Sequence, residues 1–183
     1  HANKHGVPLV VMKPNLRPVF YWSNSAEANF LLHQRQYQTD KNDISIAKVI
    51  VCNKIQNQKE LLIKTRKKDI STIEAIRQCD LSLNLLVDID DYHKLLGLEG
   101  HVAKSFFAAY YQLYNWKSRM PRTKCDILNT TLDIGYTILF NFMECFVRMF
   151  GFDLYIGVYH RLLFKRKSLI CDLIEPLRCL IDH

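Results

Sequence analysis

Ionisable side chains lie inside three strongly apolar stretches in the second half of the chain. These stretches contain Glu99, then His160, then the pair Asp172 and Glu175. A buried carboxylate without a partner costs several kcal/mol or shifts its pKa until it is neutral. A divalent metal ion is the simplest partner that satisfies carboxylates and a histidine together. We therefore expect these residues to form one site.

Glu99 belongs to the apolar stripe of a predicted helix. Leu95 and Val102 lie one turn before it and one turn after it, so its side chain faces the core. The structural alternative is an ion pair with a buried Lys or Arg. Gly100 follows Glu99 and lowers helix propensity by roughly 1 kcal/mol relative to Ala. That cost suggests close approach by another backbone or by a ligand.

Asp172 and Glu175 share one face of a helix that is apolar nearly all round. Two like charges in such a helix repel, and a cation beside them relieves the repulsion. Pro176 removes a backbone donor and crowds the carbonyl of Asp172, so the helix should bend next to the carboxylates. The structural alternative is a Glu175–Arg178 ion pair, with Asp172 near the start of the helix.

His160 is the histidine candidate, although a lone histidine is more often a core or surface residue than a ligand. His101 is its rival, but it lies on the opposite side of its helix from Glu99. One histidine with two carboxylates suits Mg²⁺ or Mn²⁺ better than structural zinc.

Two segments near these residues are rich in Lys and Arg. They contain Lys117, Arg119, Arg122 and Lys124, and then Lys165, Arg166 and Lys167. Solvated loops are often basic, but beside a metal site such loops are typical of a track for DNA phosphates.

The length, net charge and cysteine count of the chain exclude few classes of function. The chain has 183 residues and a formal net charge of +7, which permits an anionic partner without requiring one. Its six cysteines contain no C-x-x-C pair, which favours a reducing, intracellular compartment without a zinc knuckle. Residues 127–150 are long enough to span a bilayer, but Asp133, Glu144 and Arg148 interrupt them, so we expect a buried helix and no membrane span.

The elements that must position the site are mostly helices. Val7–Val11 and Arg17–Trp22 flank turn residues and predict a β-hairpin. The predicted helices cover about residues 26–38, 43–66, 71–86, a stretch from 90, 126–150 and a stretch from Ser168. Ser25 and Asp43 would cap the first two, Ser71 would open the third, and Gly151 would end the fifth. The lysines of the second helix would lie opposite its apolar stripe. The predicted fold class is mainly α, with a β-hairpin at 1–25 followed by an α-helical part at 26–183.

Several motifs, taken in order, resemble one known family. They are Leu96–Gly100, Asn129–Thr137, Gly157–His160 and Ser168–Arg178, with weaker matches at Arg35–Gln38 and Ala47–Gln58. Glu99 precedes His160 by 61 residues, and His160 precedes Glu175 by 15. This order and spacing resemble the CRISPR adaptation integrase, the endonuclease that inserts new spacers into a repeat array.

The resemblance implies a domain division, a site, a cofactor and partners. Residues 1–25 would be the remnant of an N-terminal β domain, and residues 26–183 would be the α-helical catalytic integrase domain. The family's metal ligands correspond to Glu99, His160 and Glu175, with Asp172 as a supporting carboxylate, and the metal would be Mg²⁺ or Mn²⁺. The partners would be double-stranded DNA (prespacer and repeat array), a second copy of the chain in a homodimer or dimer of dimers, and a small second adaptation protein. The location would be the cytoplasm of a prokaryote. Asp133 departs from the small or neutral residue that is usual there.

Two function classes stay open beside the leading one. The leading hypothesis is metal-dependent strand transfer, in which a 3′-hydroxyl attacks a phosphodiester at a repeat edge. The alternative is a catalytically silent, basic, nucleic-acid-binding module of the same fold. A di-iron carboxylate bundle needs paired Glu-x-x-His motifs, and the sequence contains none.

Overall fold

The structure, a computed structural model, describes residues 2–22, 29–40, 42–114, 116–123 and 125–183. The predicted cap at Ser25, the first residues of the helix expected from Ala26, and Lys124 lie outside this part of the chain. The elements are β1 (Leu9–Met12), β2 (Pro18–Trp22), α1 (Phe30–Gln38), α2 (Ser45–Lys64), α3 (Ile70–Leu85), α4 (Tyr92–Tyr110), α5 (Ile127–Met149), α6 (Ser168–Ile174) and α7 (Cys179–Asp182). This confirms the predicted fold class, mainly α with an N-terminal antiparallel hairpin.

The chain forms two compact units. The first contains residues 1–43 and 135–174, and the second contains residues 44–134 and 175–183. The hairpin thus belongs to the same unit as α6 and most of α5. The predicted domain division at residues 25 and 26 stays a prediction.

The second unit is built around α2, α3 and α4. Its core side chains are apolar and fully or nearly fully buried: Val51, Ile55, Leu62, Cys79, Leu95, Val102 and Phe106. Side-chain caps begin two of the helices, because Asp69 accepts from the backbone of Thr72 and Asp91 accepts from the backbone of Lys94.

Two predicted helix starts are wrong. The residue that precedes α2 is Ile44 rather than Asp43. The residue that caps α3 is Asp69 rather than Ser71, because an aspartate three residues before Thr72 can reach its N–H directly.

The first unit packs the hairpin and α1 against later segments. Cys145 on α5 lies 3.5 Å from the sulfur of Met12, and the amide of Asn141 donates to the carbonyl of Asn15. On α1, Gln36 donates to the carbonyl of Asp153. Side-chain contacts therefore connect the hairpin and α1 to segments more than 100 residues later in the chain.

α5 ends as the sequence predicts. Gly151 follows it with φ +74° and donates to the carbonyl of Arg148, a conformation that glycine adopts without strain. Within the described residues, none of the helices combines the length and the hydropathy needed to cross a bilayer.

α6 is interrupted as Pro176 predicts. The α-helix stops at Ile174, and residues Glu175–Leu177 continue as a tighter 3₁₀ turn before α7 begins. A proline cannot donate to the helical ladder, so the chain changes its winding immediately after the acidic residues.

Candidate metal centre

One buried lysine joins two of the predicted ligands. Lys54 donates from Nζ to Oε1 of Glu99 and, at 2.5 Å, to Oε2 of Glu175. The exposed fraction is 8% for Lys54 and 4% for Glu175. We call Lys54, Glu99 and Glu175 the carboxylate–lysine cluster, and all three belong to the second unit.

The cluster draws its residues from three elements. Lys54 lies in the middle of α2, Glu99 in the middle of α4, and Glu175 in the 3₁₀ turn that follows α6. Arg178 contacts the other oxygen of Glu175 at 3.0 Å. Both structural alternatives weighed from the sequence are therefore present, namely a buried lysine on Glu99 and a Glu175–Arg178 pair.

The lysine is held as a cation. Burial alone lowers the pKa of Lys54, but the carboxylates of Glu175 and Glu99 outweigh that effect, so its pKa lies above the ordinary value. A buried ammonium with two carboxylates is stable only as a charged, hydrogen-bonded group.

The sequence analysis missed Lys54. We expected the lysines of α2 to lie opposite its apolar stripe, which is wrong for this residue. The missed signal was its position, because Lys54 follows Ile50 and Val51 by one turn and immediately precedes Ile55, all of them buried. A lysine inside a buried stripe predicts an acidic partner.

The first unit holds the histidine and the other acid. Asp172 is fully buried and accepts four hydrogen bonds, from the backbone N–H groups of Val158, Tyr159 and His160 and from Nδ1 of His160 at 2.7 Å. A carboxylate accepts only, so Nδ1 of His160 donates this hydrogen bond, and Nε2 is the other ring nitrogen. We call these two residues the histidine–aspartate pair.

Gly157 is required by this arrangement. A Cβ atom at Gly157 would lie 2.5 Å from Oδ2 of Asp172 and 2.9 Å from the backbone of Ser168. Only a residue without a side chain lets the loop approach closely enough for its N–H groups to reach the carboxylate.

The predicted site residues thus appear in two places. Glu99 and Glu175 share Lys54, and His160 is bonded to Asp172. No group of three or more His, Cys, Asp or Glu side chains is arranged for a metal ion in the part of the chain that the structure describes. At Gly100, an added Cβ would meet no atom of the described residues within 4 Å, so the expected close approach of another backbone is wrong, while approach of a ligand stays a prediction.

The residues present fit a hard divalent cation. Two carboxylates already hold one cationic group, the ammonium of Lys54, so this cluster is suited to a cation. In the histidine–aspartate pair, Asp172 fixes the ring so that Nε2 is left for a ligand bond, a common arrangement of metal-binding histidines. Oxygen ligands with one imidazole match Mg²⁺ or Mn²⁺.

The predicted DNA-binding residues differ in how available their charges are. Arg119 pairs with Asp133 at 2.5 Å, and Lys167 pairs with Glu144 at 2.6 Å. Arg122 and Lys165 are exposed, and Arg166 is half-buried. The charges of Arg119 and Lys167 are therefore already largely neutralised by acidic neighbours, unlike those of the other three described residues.

Asp133, which the sequence left without an explanation, organises the loop before α5. It accepts from Nη2 of Arg119 and from the backbone N–H of Arg122. Burial raises the pKa of Asp133, but these hydrogen bonds outweigh it and hold the pKa below its ordinary value. Asn129 adds a bond to the backbone of Met120, so the loop is tied to the first turns of the helix.

Comparison with known proteins gives consistent results. The curated endonuclease Cas1 1 of Thermodesulfovibrio yellowstonii is 26% identical over 98% of this chain and 60% of its own length. The Cas1 1 endonuclease of Archaeoglobus fulgidus is 31% identical over 76% of this chain and 47% of its own. The chain thus spans about 60% of the length of the Thermodesulfovibrio relative.

The fold is shared with solved structures. A chain of a partial Cas6-RT-Cas1–Cas2 complex superposes with a TM-score of 0.84 and 21% identity, covering 97% of this chain and 56% of that one. A casposase bound to an integration product superposes with a TM-score of 0.70 and 22% identity, covering 99% of this chain and 53% of that one. At these identities the likeness concerns the fold alone.

The model of the family described as CRISPR associated protein Cas1 matches residues 1–183. With buried acids and a positioned histidine at the spacing that resembled this family, and with the same fold, the chain belongs to the Cas1 family of CRISPR-associated proteins.

Proposed function

We propose that the chain carries the catalytic part of a metal-dependent DNA integrase that inserts spacer DNA into a CRISPR repeat array. The observation that carries the proposal is the convergence of Glu99 and Glu175 on one buried cation. Family membership supports the reaction class, because the matched relatives are named endonucleases.

The metal ligands in this proposal are Glu99, His160 and Glu175. A divalent cation, when bound, supplies charge that activates a hydroxyl and stabilises a developing phosphorane. Asp172 is a positioning residue, because all its described bonds hold the backbone of residues 158–160 and the ring of His160. The reaction is transesterification, in which the 3′-oxygen of the incoming strand bonds to phosphorus and the 3′-oxygen of the repeat strand leaves.

DNA would be held by exposed basic side chains. Of the predicted DNA-binding residues, Arg122, Lys165 and Arg166 would contact phosphates directly, and Arg119 and Lys167 would act through the loops that they stabilise. Phosphate contacts of this kind position a duplex without reading its sequence.

The proposed partners are double-stranded DNA, a second copy of the chain and a small second adaptation protein. Two structural neighbours are chains of Cas6-RT-Cas1–Cas2 complexes, which supports the last of these. Large apolar side chains near the N-terminus support self-association, since Phe20, Phe30 and Leu31 are 54%, 71% and 58% exposed.

Self-association is tested by light scattering, which should give the mass of a dimer or a larger oligomer. Trp22→Asp on β2 should shift the measured mass toward that of a monomer. A wild-type monomer both free and on DNA would contradict self-association.

The test is joining of a short duplex to a supercoiled plasmid that carries a repeat array. We expect relaxed plasmid with covalently attached duplex in Mn²⁺ or Mg²⁺, and none in EDTA. The assay is run with the chain alone and with a small adaptation protein, so that a requirement for the partner is separated from inactivity.

Two outcomes would overturn the proposal. Joining that persists in EDTA would remove the metal from the mechanism. DNA binding without joining under every condition would favour the catalytically silent module.

A further inference from the structure

Lys54 sits where the proposed metal would bind. Its ammonium contacts one oxygen of Glu99 and one of Glu175, the latter at 2.5 Å, and the side chain is almost wholly buried. Lys54 lies within the Ala47–Gln58 stretch that resembles the family, but no role was predicted for it from the sequence, and the proposed reaction does not use it.

A metal ion and this ammonium cannot hold the same oxygens together. Mg²⁺ binds carboxylate oxygen at about 2.1 Å, a distance that excludes an N–H donor from the same lone pair. Two cations a few ångströms apart also repel strongly in a buried setting. A metal that binds Glu99 and Glu175 at the lone pairs now facing Lys54 therefore requires the ammonium to release them.

The charge balance gives Lys54 a role before the metal arrives. Arg178 contacts Glu175 but Lys54 is the cation that touches both carboxylates. Without it, two acids on α4 and on the 3₁₀ turn would face each other in the interior, and buried like charges destabilise a fold.

We propose that Lys54 is a resident counter-ion that the divalent metal displaces from Glu99 and Glu175. In the metal-free protein it holds the two carboxylates together, and on metal binding its flexible stem carries the ammonium off the oxygens. This inference rests on the proposed metal site, and it deepens that proposal by making metal binding an exchange of cations.

The exchange has a consequence that a purely structural lysine does not share. The wild-type protein must give up its Lys54 contacts to bind metal, which lowers its apparent affinity. Lys54→Met keeps the length and the apolar stem but removes the competing charge. The variant should therefore bind metal more tightly, whereas a lysine that merely shapes the site predicts weaker binding.

The experiment is a Mn²⁺ titration of the whole chain, followed by loss of the electron paramagnetic resonance signal of free Mn²⁺. We expect Lys54→Met to bind Mn²⁺ roughly tenfold or more tightly than wild type. The matched control is Lys59→Met, because Lys59 lies on the same helix and pairs with a single, half-exposed carboxylate, Asp80. Lys59→Met should bind as wild type does.

Thermal unfolding with and without Mn²⁺ gives a second reading. Lys54→Met should unfold at a lower temperature than wild type without metal and should gain more from added Mn²⁺. If it does not fold without metal, Lys54→Gln, which keeps hydrogen-bond donors but no charge, replaces it in both measurements. Equal or weaker Mn²⁺ binding by the folded uncharged variant overturns the inference.

Failure here is distinguishable from failure of the proposed function. Strand transfer in Mn²⁺ with unchanged affinity in Lys54→Met would keep the integrase and remove the exchange. Tighter Mn²⁺ binding by Lys54→Met, together with no strand transfer by the wild-type protein, would support the exchange of cations and contradict the integrase.

Discussion

The carboxylate–lysine cluster and the histidine–aspartate pair are assembled in opposite ways. The cluster joins side chains separated by 45 and 121 residues along the chain, and its contacts are bonds between full charges. In the pair, Asp172 is bonded to groups only 12 to 14 residues away, and three of its four bonds come from backbone N–H groups.

The difference lies in what each arrangement needs in order to persist. Backbone donors hold Asp172 and His160 in place whether or not a metal is bound. Two carboxylates need a cation between them, so the cluster exists only with Lys54 or with a metal in its place. One half of the proposed site is thus preorganised, and the other half changes its cation.

The largest effect should follow removal of the histidine. His160→Ala should reduce strand transfer to the level seen in EDTA, because it deletes the proposed ligand that Asp172 positions. DNA affinity and the unfolding temperature should change little, since His160 is not part of the buried core. Transfer at the wild-type level in a joining assay would contradict its role.

Gly157→Ala tests the preorganised half without touching a ligand. The added Cβ would lie 2.5 Å from Oδ2 of Asp172, so the loop must shift and carry His160 with it. We expect transfer to fall about 100-fold and stability to fall by about 1–3 kcal/mol. These are measured by the joining assay and by urea unfolding.

Gly97→Ala is the matched control for that change. Gly97 lies inside α4, and an added Cβ would meet no atom within 4 Å among the residues that the structure describes. This variant should be as active as wild type and more stable by up to about 1 kcal/mol. Equal activity of the two alanine variants would show that the close approach at Gly157 is unimportant.

The three consecutive basic residues 165–167 should differ in role, with Lys165 and Arg166 binding DNA and Lys167 stabilising the fold. Lys165→Ala combined with Arg166→Ala should weaken DNA binding and reduce the slope of log affinity against log salt by about 2. Lys167→Ala should instead lower stability, because it removes a partner of the buried Glu144. Fluorescence anisotropy at several salt concentrations and urea unfolding distinguish the two outcomes, and an unchanged slope in the double variant would place these residues away from DNA.

The smallest effect concerns Glu144, a second buried acid that is held by cations. Burial raises the pKa of Glu144, but the hydrogen bonds from Lys167 and Arg148 outweigh it and hold the pKa below its ordinary value. A depressed folded pKa adds stability above the unfolded pKa, near 4.3, and loses it as the pH falls through the folded value. Glu144→Gln should lack this acid-dependent loss and be less stable at neutral pH by about 1–3 kcal/mol. Parallel stability curves of wild type and variant between pH 7 and pH 3 would contradict this.

The sequence predicts features that depend on neighbouring residues better than contacts between distant residues. Pro176 and Gly151 act on neighbouring backbone, so the interruption after Ile174 and the end of α5 are readable from local chemistry. Asp172 was predicted as a supporting residue through its place in a motif. The position of Lys54 inside a buried stripe predicts an acidic partner, but that the partner is Glu99 depends on how α2 packs against α4.

The partners of the acids in α5 were not predicted for a related reason. Asp133 and Glu144 interrupt an apolar helix, which argues against a membrane span but does not identify the cations that pair with them. Arg119 and Lys167 pair with them in the structure, so a cation predicted to bind phosphate can be committed to an acid in the fold. Net charge counts such residues, but only the fold divides them into available and paired.

The central claim is that His160 and the two glutamates hold one divalent ion. Pulsed electron paramagnetic resonance of bound Mn²⁺ measures it most directly, because a coordinated imidazole nitrogen modulates the spin echo. The account predicts one bound Mn²⁺ with a nitrogen modulation that disappears in His160→Gln, and Mn²⁺ binding that is lost in Glu99→Gln. A wild-type Mn²⁺ complex without nitrogen modulation, or a modulation that survives in His160→Gln, would contradict it.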